Sequence, residues 1–557
     1  MHTPFIGMVR HVEGFPSTFT EPTQLNMTAF IKSTARNYPD REIVSGTGED
    51  QVRYSYGEAH DRMKQLANGL EDLGVEPGNR IGVLAFNDYR HFEMFFGVPG
   101  TGAAFLQLNL RLHPETLAYI MEHSEPRFLI VDEALLELAE SFADEADSVE
   151  GYIVLTDRNV DEIDTDLGPL YDYEEIVSGA SPDYKWPVVD EDSTAVICYT
   201  TGTTGRPKAI CYSHRSNYIA TLQTANFLGI TQHDVALQVT PMFHIMGGVT
   251  PLAAAYGGAK MVFPGQYSME DPEPLVDLMV QEDVSFASGV PLIYEAILAG
   301  IRDKYGEDAD LDGARFQVGG TPPSKDLILG WKEHGADLMT TYGATETTAL
   351  IRTAKTRPYD GLSPDEEAAF RQHGLVEPGV EIKLVDPETG EEVPRDGESI
   401  GEVYVRSPWT ATEYYDDARS AESFEDGYWK SGDLGRMDDE GYLVLVDRLK
   451  DGIKSGGEWI SSTDMENALV EHPEVADAAV IGLEHDKWEE RPFALVVPVA
   501  DGSVDGADLR EHLASQSFAD WQLPDEIEFV DEVPKTSVGK NDKVTLRDRY
   551  EGRYVEA

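Results

Sequence analysis

The chain has 557 residues, 41% hydrophobic and 10% aromatic, with 102 acidic against 44 basic residues and a formal net charge of −58. That length exceeds one core and implies at least two domains, while the apolar content excludes a disordered chain. A surface this acidic repels nucleic acid and anionic lipid; at about 1 M salt the Debye length is ~3 Å, which screens the self-repulsion, so the composition predicts a protein of a halophilic cytoplasm.

In chain order, the opening "MHTPFIGMVRHVEGFPSTF" lacks an apolar core of signal-peptide length. An amphipathic helix is expected over 56–74, with buried strands at 80–86, 127–132, 151–157, 194–200 and 259–263. Strands alternating with helical patterns predict α/β layers with largely parallel sheets. The apolar stretch 249–263 is cut by glycine and Lys260, so no membrane span is expected. The two cysteines, Cys198 and Cys211, cannot form a disulfide framework and suit a reducing compartment. Cys211 reads as a small apolar filler. From about residue 379 the texture turns to strand-and-turn, which predicts a β-rich subdomain. The charged, glycine-rich "DRLKDGIKSGGEW" (447–459) then links it to an α+β unit.

Several stretches carry chemistry. "YTTGTTGRPKAI" (199–210) presents Thr200, Thr201, Gly202, Thr203, Thr204 and Gly205, then Arg206 and Lys208. It is not the common P-loop: Gly202 and Gly205 are three apart, and Ala209 follows Lys208. It is either another phosphate cradle, with glycine backbone and threonine donors, or a polar turn. "PMFHIMGG" sets His244 before Gly247 and Gly248, with no second His or Cys at zinc spacing. In "TTYGATET" (340–347), Tyr342 suits stacking on a base, Thr345 donation to phosphate and Glu346 ligation of Mg²⁺; the alternative is a strand end with a core tyrosine. Asp433 in "KSGDLG" suits ribose hydroxyls. Basic residues are scarce, so the clusters Arg448, Lys450, Lys454 and Lys535, Lys540, Lys543 read as sites for anions or as salt-bridging surface.

Taken in order, "YTTGTTGRPKA", "PMFH", "GVPLIY", "TYGATET", "GEVYVRSP", "KSGDLG", "DRLKDGIKSGGEWIS" and "PKTSVGK" make the chain resemble the adenylate-forming acyl-CoA synthetase superfamily over about residues 20–548. "FPSTF", "IKSGGEWISSTDMENAL" and "WEERPFALVV" are most similar to its medium- and long-chain fatty-acyl-CoA ligases. The resemblance implies a large N-terminal domain (1–447) of βαβ sheets with a β-barrel-like subdomain, a hinge at 448–454, and a small mobile α+β lid (455–557). It implies a two-step reaction: a carboxylate and ATP give acyl-AMP and pyrophosphate, then CoA takes the acyl group and AMP leaves. ATP, Mg²⁺ and CoA are the expected cofactor and co-substrates.

By the same resemblance, Thr200–Gly205 hold the β- and γ-phosphates with Lys208 beside them, and Thr200 and Glu346 share Mg²⁺. Gly319, Gly320 and Thr321, with Thr341, Tyr342 and Gly343, line the adenine and acyl-AMP pocket. Thr345 meets the α-phosphate, Asp433 and Arg448 the ribose, and His244 the acyl chain and carboxylate. Lys540 bridges the attacking carboxylate and phosphate, Lys450 sits at the hinge, and Lys454, Gly456, Gly457 and Trp459 face AMP and the pantetheine tunnel. Two positions depart from the family: Ala209 replaces glycine, and Gly248 stands where some long-chain members carry an aromatic gate, leaving the tunnel ungated or differently closed. An aryl-acid CoA ligase and a non-catalytic nucleotide scaffold are the rival readings; an amino-acid-activating domain would carry an Asp after "PMF", and His244–Gly247 supply none. A homodimer is left open.

Overall fold

The computed structural model describes residues 15, 23–48, 51–200, 206–269, 271–306, 309–348, 352–353, 363, 366–367, 374–499, 504–516, 518–535 and 541–554. The chain forms two compact units, one of Met1–Val380 with Arg406–Trp429, the other of Glu381–Val405 with Lys430–Ala557.

The first unit holds two sheets. One is seven-stranded, in the order Leu170–Asp172, Gly151–Leu155, Phe128–Asp132, Arg80–Leu84, Ala104–Gln107, Thr194–Tyr199, Ala209–Ser213. Its neighbours are parallel except the last pair, which is an antiparallel hairpin. In the other, Asp337–Tyr342, Arg315–Val318, Phe286–Gly289, Val235–Leu237, Lys260–Phe263 and Glu42–Ser45 run parallel side by side. Antiparallel strands flank them, Val52–Ser55 at one end and Arg352–Thr353 with Gly374–Val376 at the other. The six parallel strands are buried along nearly their whole length, as expected of a parallel sheet covered by helices on both faces. Separate apolar clusters fill its layers, around Phe92, Phe95 and Phe105, and around Tyr294, Phe316 and Trp331.

Local signals fix the element ends. The expected helix at 56–74 forms as Tyr56–Asp72, opened by a Ser55–Glu58 capping box and closed where Gly74 takes a φ of +85°. The expected strand 80–86 stops at Leu84, because Asp88 caps the helix Tyr89–Gly100 by accepting from the His91 N–H. The stretch 249–263 divides into the end of the helix Ile245–Gly257 and the strand Lys260–Phe263; no helix of the described residues is long and apolar enough to cross a membrane.

In the second unit, Glu381–Val385, Gly401–Arg406, Tyr428–Met437 and Tyr442–Arg448 lie as successive neighbours in one sheet. A five-stranded sheet follows, with Val475–His485 and Glu489–Pro498 as a long antiparallel ladder and Glu526–Phe529 parallel to the latter. Helices Ser462–Val470 and Gly506–Ser515 pack on it around Met465, Leu469, Leu509 and Leu513.

Candidate active site

Within the first unit, the strand order reverses around Val235–Leu237: its successor Lys260–Phe263 lies on one side and Phe286–Gly289 on the other. Ligand crevices in open α/β sheets form at the carboxyl ends of strands at such a switch point. The predicted residues leave three parallel strands of this sheet at that edge. Val235–Leu237 leads to His244, Arg315–Val318 to Gly319, Gly320 and Thr321, and Asp337–Tyr342 to Gly343 and the turn Thr345–Thr347.

Packing dictates the glycines here. A Cβ on Gly247 would lie 2.0 Å from the Pro241 oxygen, and one on Gly319 2.6 Å from Met246 Cε and 2.9 Å from Thr341 Oγ1. Gly320 has a φ of +87°, which favours glycine. Thr341 and Tyr342 are buried, with Thr341 Oγ1 donating to the Val318 carbonyl, while Thr321 and Gly343 are exposed. His244 N-caps the helix Ile245–Gly257 through its backbone alone. Burial, and secondarily the Arg111 guanidinium, push its imidazole down to about 4, so it is neutral at physiological pH.

Glu346 is buried, and its Oε1 accepts from the Tyr414 hydroxyl at 2.7 Å. The Glu346 carbonyl accepts from the Ala411 N–H at 2.7 Å, and the Thr345 carbonyl from the Tyr212 hydroxyl. Lys208 Nζ lies 4.1 Å from the Tyr414 ring centroid. Burial lowers the Lys208 pKa, and the Glu346 carboxylate opposes that shift. One tyrosine therefore serves both ions, its hydroxyl to the anion and its face to the cation. Just beyond, Thr348 takes a φ of +58° and is held by donation from its Oγ1 to the Trp409 carbonyl at 2.6 Å. A β-branched residue in the left-handed region is strained, a feature that clusters at functional sites.

The feet of the threonine/glycine loop are fixed. The Thr200 N–H donates to the Lys208 carbonyl at 2.8 Å, and the Lys208 N–H to Thr200 Oγ1 at 3.1 Å, extending the Tyr199–Ala209 ladder. Thr201, Gly202, Thr203, Thr204 and Gly205 lie outside the described residues. Arg206 stacks on Tyr119 at 4.7 Å, and its carbonyl accepts from Arg419 at 2.9 Å. Burial raises the Cys198 thiol to about 12 and the Cys211 thiol to about 11, as fits apolar fillers. Sequence reasoning missed Tyr414 and Arg419. They sit in "TEYYDDAR" (412–419), which carries no motif and is held beside the loop by the Tyr415 N–H bond to the Ala209 carbonyl.

One buried carboxylate with an adjacent hydroxyl-bearing loop is a donor set that Mg²⁺ accepts when phosphate oxygens complete its shell. Among the described residues, no three or more His, Cys, Asp or Glu side chains gather as an all-protein metal cage.

In the second unit, Asp433 and Arg448 are register partners on adjacent strands and form a 2.8 Å ion pair. Asp433 is buried, with its N–H donating to Ser431 Oγ. Burial lowers the Lys450 pKa. Lys454 pairs with Glu388 and lies 5.5 Å from the Trp459 ring, its register partner. Gly456 and Gly457 form the two-residue turn of that hairpin with φ of +63° and +89°, as a type I′ turn demands.

Lys540 lies outside the described residues, but the feet of its loop pair: Lys535 Nζ donates to Asn541 Oδ1 at 2.6 Å, and the Asp542 N–H to the Pro534 carbonyl at 2.8 Å. Two of its basic neighbours make internal ion pairs. Lys535 meets Asp477 at 2.7 Å, and Lys543, almost fully buried, meets Glu466 at 2.9 Å and Ser462 Oγ at 2.6 Å. For these two lysines the salt-bridging alternative is what the structure contains. Ser462 in turn donates to Asp447, the residue before the expected hinge, from both N–H (2.6 Å) and hydroxyl.

Comparison with known proteins covers nearly all of this frame. The AMP-binding enzyme model matches residues 31–415, and the AMP-binding enzyme C-terminal domain model matches 464–540. The chain is 38% identical over 550 residues to the long-chain-fatty-acid–CoA ligase of Thermus thermophilus, covering 98% of each. It is 33% identical over 534 residues to the medium-chain-fatty-acid–CoA ligase of Ectopseudomonas oleovorans, covering 95% of this chain and 96% of that one. The crystal structure of the anthranilate CoA ligase AuaEII with anthranoyl-AMP superposes with a TM-score of 0.81 at 25% identity, over 95% of this chain and 98% of that one.

Proposed function

The chain belongs to the AMP-binding enzyme family, and from that membership we propose that it is an AMP-forming fatty-acid–CoA ligase. A carboxylate oxygen of the acid attacks the α-phosphorus of ATP, the bond to the bridging oxygen breaks, and pyrophosphate leaves. The CoA thiol then attacks the acyl carbon, loses its proton, and AMP departs with the bonding pair. No protein nucleophile is needed, so catalysis consists of positioning and charge stabilisation.

The observation that carries this reading is the Lys208–Tyr414–Glu346 arrangement beside the feet of the Thr200 loop. In the proposed roles, Thr200 and the loop through Gly205 clasp the β- and γ-phosphates with Lys208, and Thr345 meets the α-phosphate. Glu346 and Thr200 would hold Mg²⁺, which when bound neutralises charge on the leaving pyrophosphate. Gly319, Gly320, Thr321, Thr341, Tyr342 and Gly343 line the adenine pocket, and Asp433 with Arg448 takes the ribose. Neutral His244 faces the acid without demanding a counter-ion. Lys540 bridges carboxylate and phosphate in adenylation; Lys454, Gly456, Gly457 and Trp459 serve thioester formation. Residues 1–447 form the adenylation domain and 455–557 the lid, turning about a hinge at 448–454 that contains Lys450. The setting is a salt-rich cytoplasm.

The test is acid- and CoA-dependent AMP release in high salt, with straight-chain acids from acetate upward and with benzoate and cinnamate. Fatty acids are expected to give the highest kcat/KM. A best rate with an aryl acid overturns the substrate, and no AMP with any acid overturns the activity.

A further inference from the structure

The turn that leads from the strand Val235–Leu237 to His244 and the helix Ile245–Gly257 is held by a side chain from the other sheet of the first unit. Asn87 follows the strand Arg80–Leu84 and is only 5% exposed. Its Nδ2 donates to the Gln238 carbonyl at 3.2 Å and to the Thr240 carbonyl at 3.0 Å, and its Oδ1 accepts from the Met242 N–H at 2.8 Å. Two carbonyls and one N–H engage both Nδ2 protons and the oxygen, so this amide has one orientation that fits. A side chain supplies the partners because these buried backbone groups have left the sheet and not yet entered the helix.

Other bonds close the turn from inside. Gln238, fully buried, donates from Nε2 to the Thr240 carbonyl at 2.6 Å and to the Gly247 carbonyl at 3.0 Å. Thr240 Oγ1 donates to the Ser288 carbonyl, and the Tyr267 hydroxyl to the Val239 carbonyl. The His244 N–H donates to the Pro241 carbonyl at 3.1 Å, the His244 carbonyl accepts from the Gly247 N–H at 2.8 Å, and Gly247 has no room for a Cβ. The segment that carries Asn87 is itself anchored. The Asn87 carbonyl accepts from the Gly265 N–H at 2.9 Å, and the Tyr89 N–H donates to Ser45 Oγ at 3.1 Å. Residues 87–89 thus dock on the exits of three neighbouring parallel strands, Val235–Leu237, Lys260–Phe263 and Glu42–Ser45. A mere tie between the sheets would need only the backbone pairing with Gly265; the three side-chain bonds of Asn87 all go to the turn before His244.

We propose that Asn87, backed by Gln238, is a positioning residue for the acid: it fixes the turn that aims the His244 imidazole at the substrate. The inference rests on the CoA-ligase reading, in which His244 faces the acid, and adds the part of the other sheet that holds that histidine in place. Positioning is where an enzyme without a protein nucleophile is most sensitive, since a misplacement of about 1 Å can cost about a hundredfold in rate.

The experiment is a double-mutant cycle of Asn87→Ala and His244→Ala. It is read by AMP release as kcat/KM for the best straight-chain acid and KM for ATP, with the unfolding midpoint measured alongside. Each single substitution is expected to lower the acid's kcat/KM by about tenfold or more, with the KM for ATP held within about twofold. The double variant is expected to lose little more than His244→Ala alone, because no ring is left to aim. If Asn87→Ala does not fold, Gln238→Met, which keeps the side-chain length and drops both Nε2 bonds, takes its place in the cycle. Losses that multiply in the double variant overturn the proposal, because a general structural defect adds to the loss of the histidine. So does a parental kcat/KM for the acid in Asn87→Ala, or an equal loss toward ATP and acid; the ligase reading stands in all three cases. A parental kcat/KM in His244→Ala removes the histidine's role and the proposal with it, and a parent that releases no AMP with any acid removes the ligase reading as well.

Discussion

Replacing Tyr414 with Phe deletes one hydroxyl and keeps the ring under Lys208. The hydroxyl lies 2.7 Å from Glu346 Oε1, and Glu346 is only 7% exposed, so water cannot readily take its place. A hydrogen bond to a charged group contributes ~1.5–3 kcal/mol, and 1.36 kcal/mol is tenfold in rate. If Glu346 binds the metal that meets the leaving pyrophosphate, the carboxylate-dependent ATP–pyrophosphate exchange rate at fixed Mg²⁺ should fall by about 10- to 150-fold. Part of that loss should return at high Mg²⁺, because the defect lies in ligand orientation rather than in acid binding. Tyr414→Leu also removes the ring and should be worse, since half-buried Lys208 then loses its aromatic partner. The assay is isotope exchange over a Mg²⁺ titration, with the unfolding midpoint measured in parallel. Exchange and Mg²⁺ dependence both within twofold of the parent for Tyr414→Phe, in a protein of unchanged stability, would refute the assignment of Glu346.

Lys540→Ala is expected to abolish pyrophosphate exchange while most thioester formation from supplied acyl-AMP survives; equal loss of both steps, or unchanged exchange, counts against its role. Lys543→Met leaves the largely buried Glu466 without its cation and should destabilise the second unit by about 3–5 kcal/mol, read from its urea midpoint; an unchanged midpoint means that the pair is not structural. His60, His91, His214 and His244 are all lowered to about 4 by burial. Their stabilising contribution is present above the unfolded value near 6.5 and is lost as pH falls toward 4. Unfolding free energy should therefore drop between pH 6.5 and 4, and His91→Gln should flatten that drop; identical slopes would show that His91 does not titrate on unfolding. The net charge of −58 leads us to expect higher activity and melting temperature in 3 M than in 0.1 M KCl, through screening over a Debye length of ~3 Å at 1 M; equal values in both would remove the halophilic reading.

Much of this protein was legible in its sequence, for reasons of chain-local physics. Apolar runs such as "RFLIVD" and "TAVICYT" can only be buried strands, and Ser55 with Glu58 begins a helix wherever the rest of the chain goes. The ordered motifs likewise named most candidate site residues, because the succession of blocks carries a family resemblance that the threonine/glycine loop alone, equally a polar turn, does not. Partnerships across long separations needed the fold. Tyr414 lies 68 residues from Glu346 and joins it to Lys208 only because 411–415 runs beside the strand Ala209–Ser213. Lys543 looked like a surface cation and is a buried one, since the helix Ser462–Val470 brings Glu466 against it.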